Sequence, residues 1–547
     1  MSLATAQAAD PVQSDILKDR AAPAPPGAPP RVLITASEAY PEFERRFLNA
    51  KRRVRMCFRV FDPFTRLRSD EARAIGADWY DLIVHKLRQG LDVELTITDF
   101  DPIAVTPLHA ATWDSIRAMV AAEEAAGAAG PEGIGRLILR PGMHPARVGT
   151  VPRLLLSLRS YGEVARLTHR LNRLPMPERI EQLRTRPGLR QHVAWRPEGK
   201  LRPRLTPVPE FFPVTHHQKI AIFDDDWLYV GGLDLDERRF DDWAHERPAQ
   251  ETWHDVQLLV QGRAVQDAHR HLDTFLRVNS GQERPVPTGQ LLRTLSSRRR
   301  FPVLRMSPAP AVQELEQAHL DQITVARDLL YIETQFLRDR GIARALARAG
   351  RRQPGLGLIV VLPAAPETAA FEAPRADAKY GEYLQARCIE KIRRAFGDRV
   401  LFVSPAGKRR ADETDHGPRA KLFKAPIIYV HAKVAIGDTD SAIVSSANLN
   451  GRSLHWDTEA GLRLRAADYG PDAVRDIRTA CMTHWMGEAG PPRDGETGPE
   501  VVARWRAQVR ADSAREPSTR EQFLLPYVLR PALRIARNMP GVPESMV

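Results

Sequence analysis

The sequence predicts an α/β protein: two similar α/β/α sandwich halves with mixed sheets, related by a pseudo-twofold axis, with an active site at the interface between halves and a largely helical insertion in the first half. Three observations lead there. The chain has 547 residues, more than the roughly 250 to 300 that one hydrophobic core accommodates. Short apolar runs alternate with helical patterns, as a sheet with helices on its faces requires. The series then restarts near residue 303 with the same order of elements, and such a duplication builds paired halves.

Taken in order, residues 1–30, rich in Ala and Pro, are expected to be a disordered lead-in. The first half is assigned to 31–280, opening with VRMCFRVF at 54–61, a helix over 70–89 and LDVELTIT at 91–98. Residues 104–210 break this pattern with an Ala-, Arg- and Pro-rich stretch and read as a helical, basic insertion. Strands return at VTHHQKIAIF, WLYVGG and VQLLVQG. Residues 281–302, with Pro285, Pro287, Gly289 and the run Arg298 to Arg300, read as a linker. The second half, 303–490, offers a helix over 311–327, LLYIET, LGLIVVLP, a helix over 380–396, VLFVSP, IIYVHAKVAI, SAIVSS and EAGLRL. Residues 491–547 read as a basic C-terminal extension.

Composition narrows the function classes. At 43% hydrophobic and 27% charged residues, collagen-like, coiled-coil and wholly disordered chains are excluded. Cys57, Cys388 and Cys481 are far apart and odd in number, which gives neither a disulfide framework nor a zinc pattern and points to buried packing thiols in a reducing compartment. No apolar run reaches the length of a membrane-spanning helix, and the first 30 residues lack the pattern of a cleaved secretion signal. A cytoplasmic or peripheral membrane protein is expected, with export without a cleaved signal left open.

The net charge is +12, and residues 136–206 alone carry 15 arginines and Lys200 against four glutamates, which equals the whole surplus. A basic stretch of this size points to an anionic partner. Between Pro152 and Leu174, Leu154, Leu158, Tyr161 and Ala165 share one helical side with Val164, Leu167, Leu171 and Leu174 beside it, while Arg159, Arg166, Arg170 and Arg173 share another. That helix suits either an anionic membrane surface or a lid packed on the protein's own core.

The duplication is sharpest at two segments. From His217, Lys219 falls at +2, Asp224 at +7, Gly231 and Gly232 at +14 and +15, and Asp234 at +17; from His431 the same offsets give Lys433, Asp438, Ser445, Ser446 and Asn448. A chance HxKxxxxD match is expected only about 0.02 times in such a chain. Both motifs lie on strand-like runs, where residues two apart project to one face. Two imidazoles and two ammonium groups would therefore converge on one pocket. Such a pocket suits a phosphodiester: Lys219, Lys433, Asn448 and Ser446 at the phosphate, one histidine attacking phosphorus and the other protonating the leaving oxygen.

A nucleophilic histidine needs a carboxylate on its other ring nitrogen. Asp255, before VQLLVQG, is expected to orient His217, and Glu459, before EAGLRL, to orient His431. Asp224 and Asp438, at strand ends, are given a structural turn role together with Gly231, Gly232 and Asp234. A lysine at +2 in both copies would repel a cation, so no metal and no cofactor is expected.

These residues resemble the phospholipase D superfamily, whose signature is a duplicated HxKxxxxD followed by a Gly/Ser pair and Asn. GGLDL at 231–235, RRFDD at 238–242, WHDVQ at 253–257, YIETQF at 331–336 and SSANLNGRSL at 445–454 are similar to the eukaryotic-type phospholipases D in particular. Thr334, Ser445 and Phe240 depart from that pattern, which has Asn, Gly and Trp there. The resemblance implies a phosphohistidine intermediate, with His217 as nucleophile and His431 as acid and then base. It also implies phospholipid hydrolysis or transphosphatidylation to phosphatidic acid or its esters. Neither an N-terminal lipid-targeting domain nor an acidic calcium loop is visible, which leaves the 104–210 insertion as the candidate for membrane delivery. The expected partners are a phospholipid and an anionic membrane surface rather than nucleic acid, and the expected state is a monomer. A cardiolipin-synthase-like transferase, a nucleic-acid phosphodiesterase and an inactive membrane-binding protein stand as alternatives.

Overall fold

The computed structural model describes residues 29–127, 133–373 and 375–546, so the expected disorder of residues 1–28 lies outside the described residues. Seven strands form the first sheet: β1 (Arg31–Ile34), β2 (Arg53–Phe58), β3 (Asp92–Thr98), β4 (Leu137–Gly142), β5 (Ile220–Phe223), β6 (Trp227–Gly231) and β7 (Val256–Val260). Their spatial order is β1-β7-β6-β5-β2-β3-β4. The second sheet holds β8 (Leu291–Ser297), β9 (Ala309–Gln313), β10 (Leu329–Thr334), β11 (Gly357–Val361), β12 (Val400–Pro405), β13 (Lys433–Gly437), β14 (Ser441–Ser445), β15 (Glu459–Arg465) and β16 (Leu524–Pro526). Its order is β9-β8-β15-β14-β13-β10-β11-β12-β16. Without the two edge strands β9 and β16, the second order repeats the first strand for strand. Both sheets are mixed in the same places: β2-β3-β4 and β10-β11-β12 run parallel, and the other shared pairs antiparallel.

Alternation along the strands sorts side chains into layers. On β5, Ile220 and Ile222 enter a central core while Ala221 and Phe223 enter an outer one. On β13, Val434 and Ile436 face the same central core and Ala435 the outer core of its own half. The outer cores are closed by α1 (Thr35–Asn49), α2 (Trp79–Arg88) and α3 (Thr106–Gly127) in the first half. The central core takes in α4 (Arg263–Ser280). The second half's outer core is closed by α5 (Glu314–Val325), α6 (Arg340–Arg352) and α7 (Ala376–Phe396), while α8 (Pro471–Met486) and α9 (Gly498–Ala514) join the central core. Each half is thus an α/β/α sandwich, and one continuous core joins them. The three cysteines are buried and unpaired.

Three boundaries read from the sequence shift. The insertion does not begin at 104: α3 closes the outer core and Leu137–Gly142 pairs in parallel with β3, so the added segment starts after Gly142. β4 carries Arg140 and Pro141, which an edge strand tolerates and which disguise it. The stretch 281–302 is not merely a linker, since Leu291–Ser297 is β8, antiparallel to β15. Its pattern is broken by Arg293, a charge only 2% exposed and paired with Glu314 at 2.7 Å. Residues 491–547 are not an appendage either: α9 and the three-residue strand β16 complete the second sandwich.

The added segment holds its own small core, in which Val164, Leu167 and Leu171 of the helix Thr150–Asn172 meet Leu183, Leu189, Val193 and Leu201. Only the C-terminal part of that helix packs inward. Its N-terminal part leaves Leu155 at 78% and Leu158 at 84% exposed, and Leu154 is also exposed. Val151 N–H donates to the Val303 carbonyl at 3.0 Å, which sets the exposed Phe301, Val303 and Leu304 beside this ridge. Among the described residues no helix is long and apolar enough to cross a membrane.

Candidate active site

Both motif histidines stand just ahead of their strands, His217 before β5 and His431 before β13. Each sits on an extended segment that pairs with the opposite half. The His217 N–H donates to the Thr458 carbonyl at 2.8 Å, and Thr458 N–H returns to Thr215 at 3.0 Å. At the related point His431 N–H donates to the His254 carbonyl at 2.8 Å, and His254 N–H to Tyr429 at 2.9 Å. The residues that follow Thr458 and His254 are Glu459 and Asp255. The carboxylates therefore arrive crossed: His217 Nδ1 lies 3.0 Å from Glu459 Oε2, and His431 Nδ1 lies 2.6 Å from Asp255 Oδ2. Pairing within each half, as the spacing suggested, is corrected by these two bridges.

Both rings line one cleft of about 320 Å³ between the halves. Engagement of each Nδ1 leaves Nε2 as the nitrogen available for chemistry. Burial, then the neighbouring motif lysine, holds both imidazoles well below the usual histidine range, which favours the neutral form of each ring. Burial also raises the carboxylates, Glu459 to about 8.

The lysines lie beneath the rings. Lys219 Nζ donates to the His217 carbonyl at 2.6 Å and stands 3.7 Å from Asp234. Lys433 Nζ donates to the His431 carbonyl and lies 2.8 Å from His431 Nδ1. With Nδ1 donating its proton to Asp255, that second approach is an electrostatic contact. Burial lowers both ammonium groups, Lys433 to about 7, while the nearby carboxylates hold them up.

The remaining motif positions divide. Asn448 lines the cleft, with Nδ2 donating to Gln335 at 3.1 Å and a buried Oδ1 without a partner. Ser446 does not reach the phosphate position expected of it: its hydroxyl donates to Glu459. Gly232, its counterpart, faces Asp255 so closely that a Cβ would lie 2.3 Å from Oδ1, and one on Gly231 would lie 2.5 Å from the Val256 carbonyl. Asp234 accepts from Val60 N–H at 2.9 Å. Asp224 and Asp438 lie at strand ends with φ of 55° and 51°, a region Asp tolerates better than most residues. Asp224 accepts from the N–H groups of Lys51, Arg52 and Arg53, and Asp438 from those of Arg327, Asp328 and Leu329, all at 2.6 to 3.0 Å.

The cleft holds groups that the sequence reading passed over: Arg59, Arg239, Arg338, Arg452, Trp253, Gln335 and Tyr429. Trp253 stacks beside His431 with centroids 4.5 Å apart. Arg59 and Gln335 were within reach of the duplication, since each directly follows the strand, β2 or β10, that pairs with the motif strand.

No family model matches the chain. Phospholipase D A of Dictyostelium discoideum is 24% identical over 324 residues, covering 46% of this chain and 24% of that protein. Phospholipase D alpha 2 of Oryza sativa subsp. japonica is 23% identical over 422 residues, covering 53% of this chain and 51% of that protein. The chain is related to the phospholipase D superfamily. It spans about a quarter to a half of the length of these superfamily relatives. A solved structure, phosphatidylserine synthase of Haemophilus influenzae Rd KW20, is 12% identical with a TM-score of 0.48, over 89% of this chain and 95% of that one.

Proposed function

We propose that the protein is a phospholipase D-like phosphodiesterase that cleaves phospholipids to phosphatidic acid through a phosphohistidine on His217. The observation that carries the reading is the crossed pair of buried histidine–carboxylate contacts on one cleft, with a lysine beneath each ring. Neutral His217 attacks phosphorus through Nε2, the bond to the headgroup oxygen breaks, and His431, protonated on Nε2 from solvent as the anionic phosphodiester enters the cleft, gives that oxygen its Nε2 proton. His431 then takes a proton from water, whose oxygen displaces His217 and releases phosphatidic acid. Lys219, Lys433 and Asn448 oppose the charge on the non-bridging oxygens.

The ridge of Leu154, Leu155, Leu158, Phe301 and Leu304 favours a lipid over a nucleic acid. Large apolar side chains more than half exposed, beside Arg298, Arg299 and Arg300, fit a peripheral site on an anionic membrane surface. A polynucleotide would be served by the arginines and not by the leucines.

An alcohol competes with water for a covalent phosphatidyl group, so the purified protein on phospholipid vesicles with added ethanol should yield phosphatidylethanol at the expense of phosphatidic acid. Hydrolysis without any transfer product removes the covalent intermediate, and cleavage of single-stranded DNA without lipid turnover removes the substrate class.

A further inference from the structure

The cleft is more cationic than two motif lysines require. Four arginines line it: Arg59 and Arg338 make no ion pair among the described residues and each has a buried Nε without a partner, and of the four Arg338 alone lies against a helix glycine. Arg452 is neutralised by Asp457 at 2.9 Å, while Arg239 lies 3.8 Å over the Trp253 ring and 3.9 Å from Glu367. Arg338 makes no ion pair among the described residues, its Nε is buried without a hydrogen-bond partner, and the residue is only 6% exposed. Glu382, which acts on Arg338 electrostatically, gives Oε2 to Arg419 at 2.5 Å and makes no ion pair with Arg338, and Asp377 is exposed at the rim.

Space is kept for this guanidinium. It rests 3.8 Å over the Phe336 ring, and close against it stands Gly381, inside α7, where a Cβ would come within 2.5 Å of Arg338 Cζ. Glycine weakens a helix interior, so the room has a use. An unpaired buried guanidinium is unfavourable until an anion meets it. The Arg338 N–H donates to the Leu449 carbonyl at 2.8 Å, next to Asn448. The same wall carries Tyr429, whose ring packs on Trp253 at 5.1 Å, and Trp253 in turn packs on His431.

We propose that Arg338 binds a second acidic group on the alcohol side of the scissile phosphodiester, so that the preferred substrates carry a carboxylate or a further phosphate in the headgroup. The inference rests on the function proposed above, in which the alcohol leaves from the His431 side. A guanidinium fork matches either acid in a bidentate manner, and a lysine does not.

The test uses the full-length protein and monomeric short-chain lipids: phosphatidylserine, phosphatidylinositol 4-phosphate and phosphatidylcholine. The readout is the ratio of kcat/KM for each acidic headgroup over choline, which is independent of the fraction of active protein. We expect a ratio of about tenfold or more for at least one acid, reduced at least tenfold in Arg338→Gln and partly kept in Arg338→Lys. Gly381→Ala, which crowds the guanidinium from behind, should lower the ratio in the same direction. The serine and inositol-phosphate arms tell carboxylate from phosphate. A wild-type ratio of one or less, or a ratio unmoved by Arg338→Gln, overturns the inference alone. Failure to turn over any of the three lipids overturns the proposed function and this inference with it.

Discussion

Nδ1 of His431 lies 2.6 Å from Oδ2 of Asp255, a carboxylate 176 residues away that belongs to the other half of the chain. The related pair, His217 with Glu459, is 242 residues apart in sequence. Each ring is therefore aligned by the half to which it does not belong.

This crossing sets which variants should resemble each other. With His217 as nucleophile, Glu459→Gln should slow formation of the phosphoenzyme, as His217→Ala abolishes it. Asp255→Asn should instead behave like a weaker His431→Ala, losing about 10- to 100-fold on a natural alcohol leaving group while retaining a burst with a 4-nitrophenol leaving group. Rapid-quench labelling of the four variants measures this. A burst kept by Glu459→Gln and lost by Asp255→Asn would reverse the roles of the two histidines.

A second expectation concerns pH. Burial brings the Lys433 ammonium down to about 7 against the pull of Asp255 and Glu459, and the protonated form is the one that opposes phosphate charge. As pH rises through that value the charge is lost, so kcat/KM should fall on the alkaline side with an apparent pKa near 7. Burial and then its motif lysine hold the nucleophile His217 well below the usual histidine range, so its neutral form persists as the pH falls through that range. For stability the sign is opposite: the unfolded lysine stays protonated over a pH range in which the folded one does not, so this group's contribution rises with pH from about 7 to 10. A pH–rate profile that stays level from 6 to 9 would count against Lys433 as the titrating group.

Much of this was readable in the chain. The offsets from His217 and His431 located the turn aspartates, and an equivalent place at the start of a following strand located both orienting carboxylates, although Asp255 lies 38 and Glu459 28 residues after the histidine of its own half. The spacing could not say which half each carboxylate serves, since Glu459 and Asp255 reach their histidines through main-chain bridges at Thr458 and His254 that leave no composition signal. Arg338 was invisible for a similar reason: in a sequence rich in arginine, only its contact with Gly381 sets it apart from Arg59, the other cleft arginine without an ion pair among the described residues.

The turn aspartates give a prediction that separates structure from chemistry. Each carboxylate takes three backbone N–H groups at a positive φ. Asp224→Ala and Asp438→Ala should each cost about 1 to 3 kcal/mol, and the double variant should approach the sum because the two share no partner. Denaturant titration reads the loss, and turnover per folded molecule should hold within about threefold. A selective fall in turnover with unchanged stability would move these residues into the chemistry.

The exposed ridge can be tested apart from the cleft. Leu155→Asp with Leu158→Asp removes side chains that are 78% and 84% exposed, so folding should be little affected. Vesicle flotation on anionic lipid should weaken by about 10-fold or more, and the rate on vesicles should fall relative to the rate on a monomeric short-chain lipid. Equal rates on both substrates in this variant would leave the ridge without a membrane role.

The main-chain bridges at Thr458 and His254 make catalytic competence a matter of assembly. Neither half, folded alone, has a carboxylate behind its own histidine, so a stray half-molecule would carry no misdirected nucleophile. Slippage between the halves would disengage both rings at once, and turnover should vanish on warming before secondary structure melts. Alignment of the reacting groups thus reports, at every moment, whether the two ends of the chain have found each other.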